Sequence, residues 1–86
     1  MTQLHSTDIE VTETLDCTDL LCPLPVYHAG KALTRLAPGD VLELVTTDPG
    51  SIVDIPALVR ERGDTLLSSE NNDDSQTFRI QKGASR

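Results

Sequence analysis

Leu15-Asp16-Cys17-Thr18-Asp19-Leu20-Leu21-Cys22-Pro23-Leu24-Pro25-Val26 decides the fold, because the hydrophobic period changes across it. Ahead of it, Ile9, Val11 and Leu15 alternate with Glu10, Thr12 and Thr14, the two-residue repeat of a half-covered strand ending near Asp16. Beyond it, Val26, Ala29, Leu33 and Leu36 recur at three- and four-residue steps, which makes one apolar stripe along a helix. Pro38-Gly39 then stops that helix. The chain therefore passes from strand to helix through a short turn and two prolines.

Further along, Val41 to Val45 is a nearly continuous apolar run broken only by Glu43, the pattern of a central strand. Asp48-Pro49 repeats the helix-start punctuation, an acid at the N-cap and proline at the first helical position. Ile52, Ile55 and Val59 give a second stripe, and Gly63 closes the helix. Pro56 falls inside this pattern and predicts either a kink or a restart with Asp54 as a second cap. Thr65 to Glu70 and Thr77 to Lys82 read as strands, and the turn-forming residues 71–75 between them predict a hairpin. The order β-α-β-α-β-β implies an α/β fold: a two-layer sandwich with a mixed four-stranded sheet and both helices on one face. One domain is expected over residues 1–86, with 1–8 an aperiodic leader and 84–86 a tail.

Eighty-six residues with two aromatics, Tyr27 and Phe78, leave the core to Leu, Ile, Val and Ala. A core of that size has little room for an enclosed substrate cavity, so chemistry is expected at the surface, within reach of a larger partner. Fourteen acids against seven bases give a formal charge of −7, which repels phosphate backbones and argues against direct nucleic-acid binding. No stretch approaches the roughly 20 apolar residues of a membrane span, and Met1 to Glu10 has no signal-peptide core. A cytoplasmic location follows as the expectation, and two cysteines in a reducing compartment are chemical or buried rather than a disulfide. Phosphate loops, paired-carboxylate sites and Ser/His/Asp sets are absent, so neither cofactor nor metal is expected.

Cys22 is the candidate catalytic residue. A thiol is nucleophilic only as thiolate, and a helix N-terminus favours that anion through unpaired amides and the macrodipole. A residue before proline is pushed into the extended conformation that an N-cap needs, and Pro23 then fits the first helical position. Two prolines leave only Leu24 and Val26 as amide donors, and Pro25 restricts Leu24, so the helix alternatively begins at Pro25. Either arrangement sets the sulfur on a stiff, outward elbow, whereas a cysteine that merely fills space needs no such bracket. Cys17 reads as a partly buried strand-end residue, with a resolving or disulfide-forming thiol as the alternative. A zinc site from both cysteines with His5 and His28 matches no common ligand spacing. His28 reads as solvent-facing rather than as a thiolate neighbour, Lys31 as docking charge and Tyr27 as rim packing.

The motifs taken together resemble the TusA/SirA family of sulfur-carrier proteins. Leu15-Asp16 followed by Leu21-Cys22-Pro23-Leu24-Pro25 carries the resemblance, with Lys31, Pro38-Gly39-Asp40, Asp48-Pro49, Asp54-Ile55-Pro56 and Arg79-Ile80-Gln81-Lys82-Gly83 following in order. It covers about residues 11–83. The resemblance implies a cytoplasmic sulfurtransferase that carries sulfane sulfur as a persulfide on Cys22. Its implied partners are a sulfur donor, either a cysteine desulfurase or a rhodanese-type protein, and an acceptor relay protein. The implied pathways are tRNA thiolation, molybdenum-cofactor biosynthesis and sulfur oxidation. Leu24, Gly30 and Val53 stand where some members carry an acid, a base and a base, so docking charges of the tRNA-thiolation branch are missing. The alternative function is a non-enzymatic redox-sensing or regulatory interaction domain on the same fold.

Overall fold

A computed structural model describes residues 10–21 and 23–83. Its elements are β1 (Glu13–Cys17), α1 (Leu24–Arg35), β2 (Val41–Thr46), α2 (Ser51–Arg62), β3 (Thr65–Asn71) and β4 (Gln76–Gln81). The strands form one sheet in the order β1-β2-β4-β3, with β1 and β2 parallel and the other two pairings antiparallel. This is the expected two-layer α/β sandwich with a mixed four-stranded sheet.

Strand alternation assigns the two faces. Leu15 and Cys17 pair with Leu44 and Thr46, which pair in turn with Phe78 and Gln76. Cys17, Leu42, Leu44, Phe78 and Ile80 form one buried cluster with Ala29, Ala32 and Leu33 of α1 and Ile55 and Val59 of α2. Both helices therefore cover the same face. The opposite face carries Thr14, Glu43 and Arg79, where Arg79 pairs with Glu43 at 2.9 Å and donates to Ser68 Oγ at 3.2 Å.

Local structure departs from the sequence expectation at several places. Helix α1 runs from Leu24 with Pro23 in the N-cap position, so neither Pro23 at the first helical position nor a start at Pro25 holds. Helix α2 starts at Ser51 with Gly50 as N-cap, two residues later than read. Asp48 instead closes a turn ahead of the helix: its Oδ1 accepts the Gly50 N–H at 3.2 Å and its carbonyl accepts the Ser51 N–H at 2.9 Å. Helix α2 is continuous through Pro56, so a restart with Asp54 as a second cap does not occur. The carbonyl that the missing N–H of Pro56 would have met belongs to Ile52, an exposed residue, so water can satisfy it. Ile52 was expected in the buried stripe; Ser51 occupies that place. In β3 the register steps between Leu66 and Ser68, leaving Leu67 as a bulge on an edge strand, a device that discourages further strand pairing.

Candidate functional site

The register brings three loops to one end of the sheet. Cys17 lies opposite Thr46, Thr46 opposite Gln76, and Gln76 opposite Asn71. The segment after β1, the segment after β2 and the β3–β4 turn therefore share an edge. Both helices begin there, as the carboxyl ends of parallel strands dictate. Thr46 donates its hydroxyl to Gln76 Oε1 at 2.8 Å beneath this end, which satisfies two polar groups in the core.

The segment leading to the two prolines is held mostly by its own residues. Asp16 Oδ1 accepts the Thr18 N–H at 3.0 Å and the Thr18 hydroxyl at 2.7 Å. These bonds favour the ionised form and hold the Asp16 carboxyl below its ordinary value. Leu20 N–H returns to Cys17 O at 3.2 Å. Within that turn Asp19 has φ 68°, a left-handed conformation that aspartate tolerates better than most residues. Its N–H donates to Thr47 Oγ1 at 2.7 Å, tying the segment after β1 to the one after β2.

Cys22 itself lies outside the described residues; its neighbours frame it. Leu21 is 70% exposed and Pro23 is exposed, while Pro25 is buried against the core. Leu24 N–H is engaged by Leu21 O at 2.8 Å, and Tyr27 N–H by Pro23 O at 3.0 Å. Pro25 has no N–H, and of the two amides that the prolines leave in the first turn, that of Leu24 is already engaged.

The remaining candidates separate clearly. Cys17 is 1% exposed; burial, and secondarily the charge of Asp16, push its thiol above the ordinary cysteine value. It is a core thiol, buried more completely than its place at a strand end suggests. His28 stacks edge-on against Tyr27 at 5.6 Å, and Lys31 Nζ sits 5.3 Å above the same ring, so Tyr27 is a largely exposed platform rather than rim packing. His5 lies outside the described residues. Among the described residues no group of three or more His, Cys, Asp or Glu is placed to hold a metal ion, and no helix is long and apolar enough to cross a membrane.

Two contributors escaped the sequence reading. Thr47 is a single threonine in a loop, and nothing local marks it as the acceptor for Asp19. Lys82 donates to Leu33 O at 2.6 Å and Leu36 O at 3.0 Å, capping α1 from nearly fifty residues away. The Asp16-x-Thr18 spacing did carry a signal, since aspartate followed two residues later by a donor is an Asx turn.

A Cys-Pro-x-Pro sequence where the first strand gives way to the first helix of a two-layer α/β sandwich marks a class of small thiol proteins. Residues 13–82 match the family model described as sulfurtransferase TusA, and the chain belongs to that family. A relative named for sulfur carriage in Neisseria meningitidis serogroup A is 43% identical over 70 residues, spanning 81% of this chain and 95% of that one. The sulfur carrier protein TusA of Allochromatium vinosum is 38% identical over 68 residues, 79% of this chain and 90% of its own length. A SirA-like protein from Desulfitobacterium hafniense has the same fold in its crystal structure, with TM-score 0.73 and 25% identity over 83% of this chain and 97% of that one. Sulfur carriage is the role these relatives support.

Proposed function

We propose that this chain holds sulfane sulfur as a persulfide on Cys22 and relays it between two proteins. The observation that carries the proposal is the Cys22-Pro23-Leu24-Pro25 sequence at the β1–α1 junction of a chain belonging to the TusA family. Burial of Cys17 supports the assignment, because a thiol that water and partners cannot reach and that resists ionisation makes a poor nucleophile.

Loading is an exchange between sulfurs. The Cys22 thiolate attacks the terminal sulfur of a donor persulfide; that sulfur's bond to the donor breaks, a bond to Cys22 forms, and the donor leaves as thiolate. Unloading repeats the step with an acceptor thiolate, which takes the terminal sulfur and returns Cys22 as thiolate. Neither step changes the overall oxidation level, so no oxidant or cofactor enters. The donor is a cysteine desulfurase or rhodanese-type protein. The acceptor is a relay protein serving tRNA thiolation, cofactor biosynthesis or sulfur oxidation. The same reading puts the chain in the reducing cytoplasm, where free thiols persist.

Intact-mass measurement after incubation with a cysteine desulfurase and cysteine tests the loading step. One added sulfur atom is expected in the wild type and in Cys17→Ala, with none in Cys22→Ser. A redox sensor would instead take no sulfur from any donor and form a reversible Cys17–Cys22 disulfide.

A further inference from the structure

Beside the β1–α1 junction, a groove of about 250 Å³ opens between the start of α1 and the outer face of α2, lined by Pro23, Val26, Asp54, Ala57, Leu58 and Glu61. It is smaller and more open than the ~300–1,000 Å³ clefts that enclose small molecules, so a side chain from another protein suits it better than a free substrate. Its floor is apolar. Its charged lining consists of two carboxylates, those of Asp54 and Glu61, with no base among the described lining residues.

The surroundings continue the same chemistry. Leu21 and Leu24 adjoin Pro23 in the chain, Val53 adjoins Asp54, and all three are exposed, Val53 by 71%. Exposed aliphatic side chains beside a groove are the usual mark of a protein contact. A second copy of this chain fits poorly, because each copy carries a formal charge of −7 and would bring its own acids against Asp54 and Glu61.

We infer that this groove receives a segment of the sulfur-exchanging partner in which an apolar side chain stands next to a lysine or arginine. The apolar side chain packs on Val26, Ala57 and Leu58, and the cation meets Asp54 and Glu61. Pro23 is both a wall of the groove and the chain neighbour of Cys22, so an occupied groove brings the partner to the β1–α1 junction. The inference rests on Cys22 being the carrier residue and adds the chemistry by which a partner is chosen.

The test uses the full chain labelled on Cys22 as the thionitrobenzoate mixed disulfide, with single labelling verified by mass. A peptide thiolate attacks the Cys22 sulfur, a peptide–Cys22 disulfide forms, and coloured thionitrobenzoate leaves. Two leucine-flanked cysteine peptides are compared, one with arginine and the other with glutamate beside the cysteine. The arginine peptide is expected to react about two- to five-fold faster at low salt, the range one exposed ion pair supports. Glu61→Gln should remove most of that preference, whereas Glu10→Gln, an equal charge change on an exposed residue ahead of β1, should retain it. Ala57→Leu, which fills the groove and deletes no core side chain, should slow both peptides. Equal rates for the two peptides would overturn the inference, as would equal losses in Glu61→Gln and Glu10→Gln. Concentration-dependent dimerisation abolished by Ala57→Leu would overturn it too, by making a second copy the occupant. The assay needs no persulfide, so its failure leaves sulfur carriage standing, and failure of sulfur loading is read separately by mass.

Discussion

At the scale of single residues, the two cysteines differ by environment rather than by type. Cys17 ends a strand inside the core, where desolvation opposes its thiolate and the Asp16 charge opposes it further. Cys22 follows a 70%-exposed Leu21 and precedes an exposed proline. Alkylation of the folded protein at mildly alkaline pH is therefore expected to modify Cys22 and spare Cys17 until denaturant is added; equal rates at both would contradict the assignment of Cys17 to the core. The linkage has a definite sign. The folded-state value of Cys17 lies above the ordinary 9.0, so the stability it contributes is complete below about pH 9 and is lost as pH rises from there toward the folded value. Cys17→Ala should flatten that alkaline limb in urea titrations, at a cost of about 1 kcal/mol in neutral stability from the lost packing.

At the scale of elements, most of the architecture was legible because period and punctuation agreed. The three- and four-residue stripe from Val26 to Leu36 specifies one buried helix face and the nearly continuous apolar run from Val41 to Val45 a covered strand, and the structure packs both into the core. Helix starts were less legible. Asp48-Pro49 carries the composition of a cap, yet the Asp48 side chain closes a turn on Gly50 and the helix begins later. The bulge at Leu67 left no mark, because Thr65–Asn71 offers no alternation strict enough to expose a slipped register. Lys82 shows the limit most clearly, since a cap supplied from the far end of the chain has no local signature. Replacing it with methionine keeps its apolar stem and removes two charge-assisted bonds to the last carbonyls of α1. Lys82→Met is expected to cost about 1–3 kcal/mol, read as a lowered urea midpoint with an unchanged slope. An unchanged midpoint would mean that water caps this helix end equally well.

At the scale of the whole molecule, the division of labour follows from topology. Parallel pairing of β1 and β2 sends both helix starts to one end of the sheet, and the Asp19–Thr47 bond locks the two connecting segments there. The opposite face of the sheet is a charged lattice around Arg79. Around the candidate site the sequence makes legible the pair of prolines at the start of α1, Pro23 and Pro25, because those residues lie close together in the chain. The Asp19–Thr47 tie and the groove between α1 and α2 are not legible there, because residues far apart in sequence build them. The function proposed above asks this small acidic domain to carry sulfur on Cys22 and larger partners to supply the rest of the chemistry. Locating the added sulfur within the chain tests that account most directly. Trypsin first cleaves after Lys31, so both cysteines fall on one peptide, and the fragment ions between Cys17 and Cys22 decide which one carries it. After loading by a cysteine desulfurase and blocking of free thiols, the account predicts the extra sulfur on Cys22 alone; extra sulfur on Cys17, or on neither residue, would contradict it.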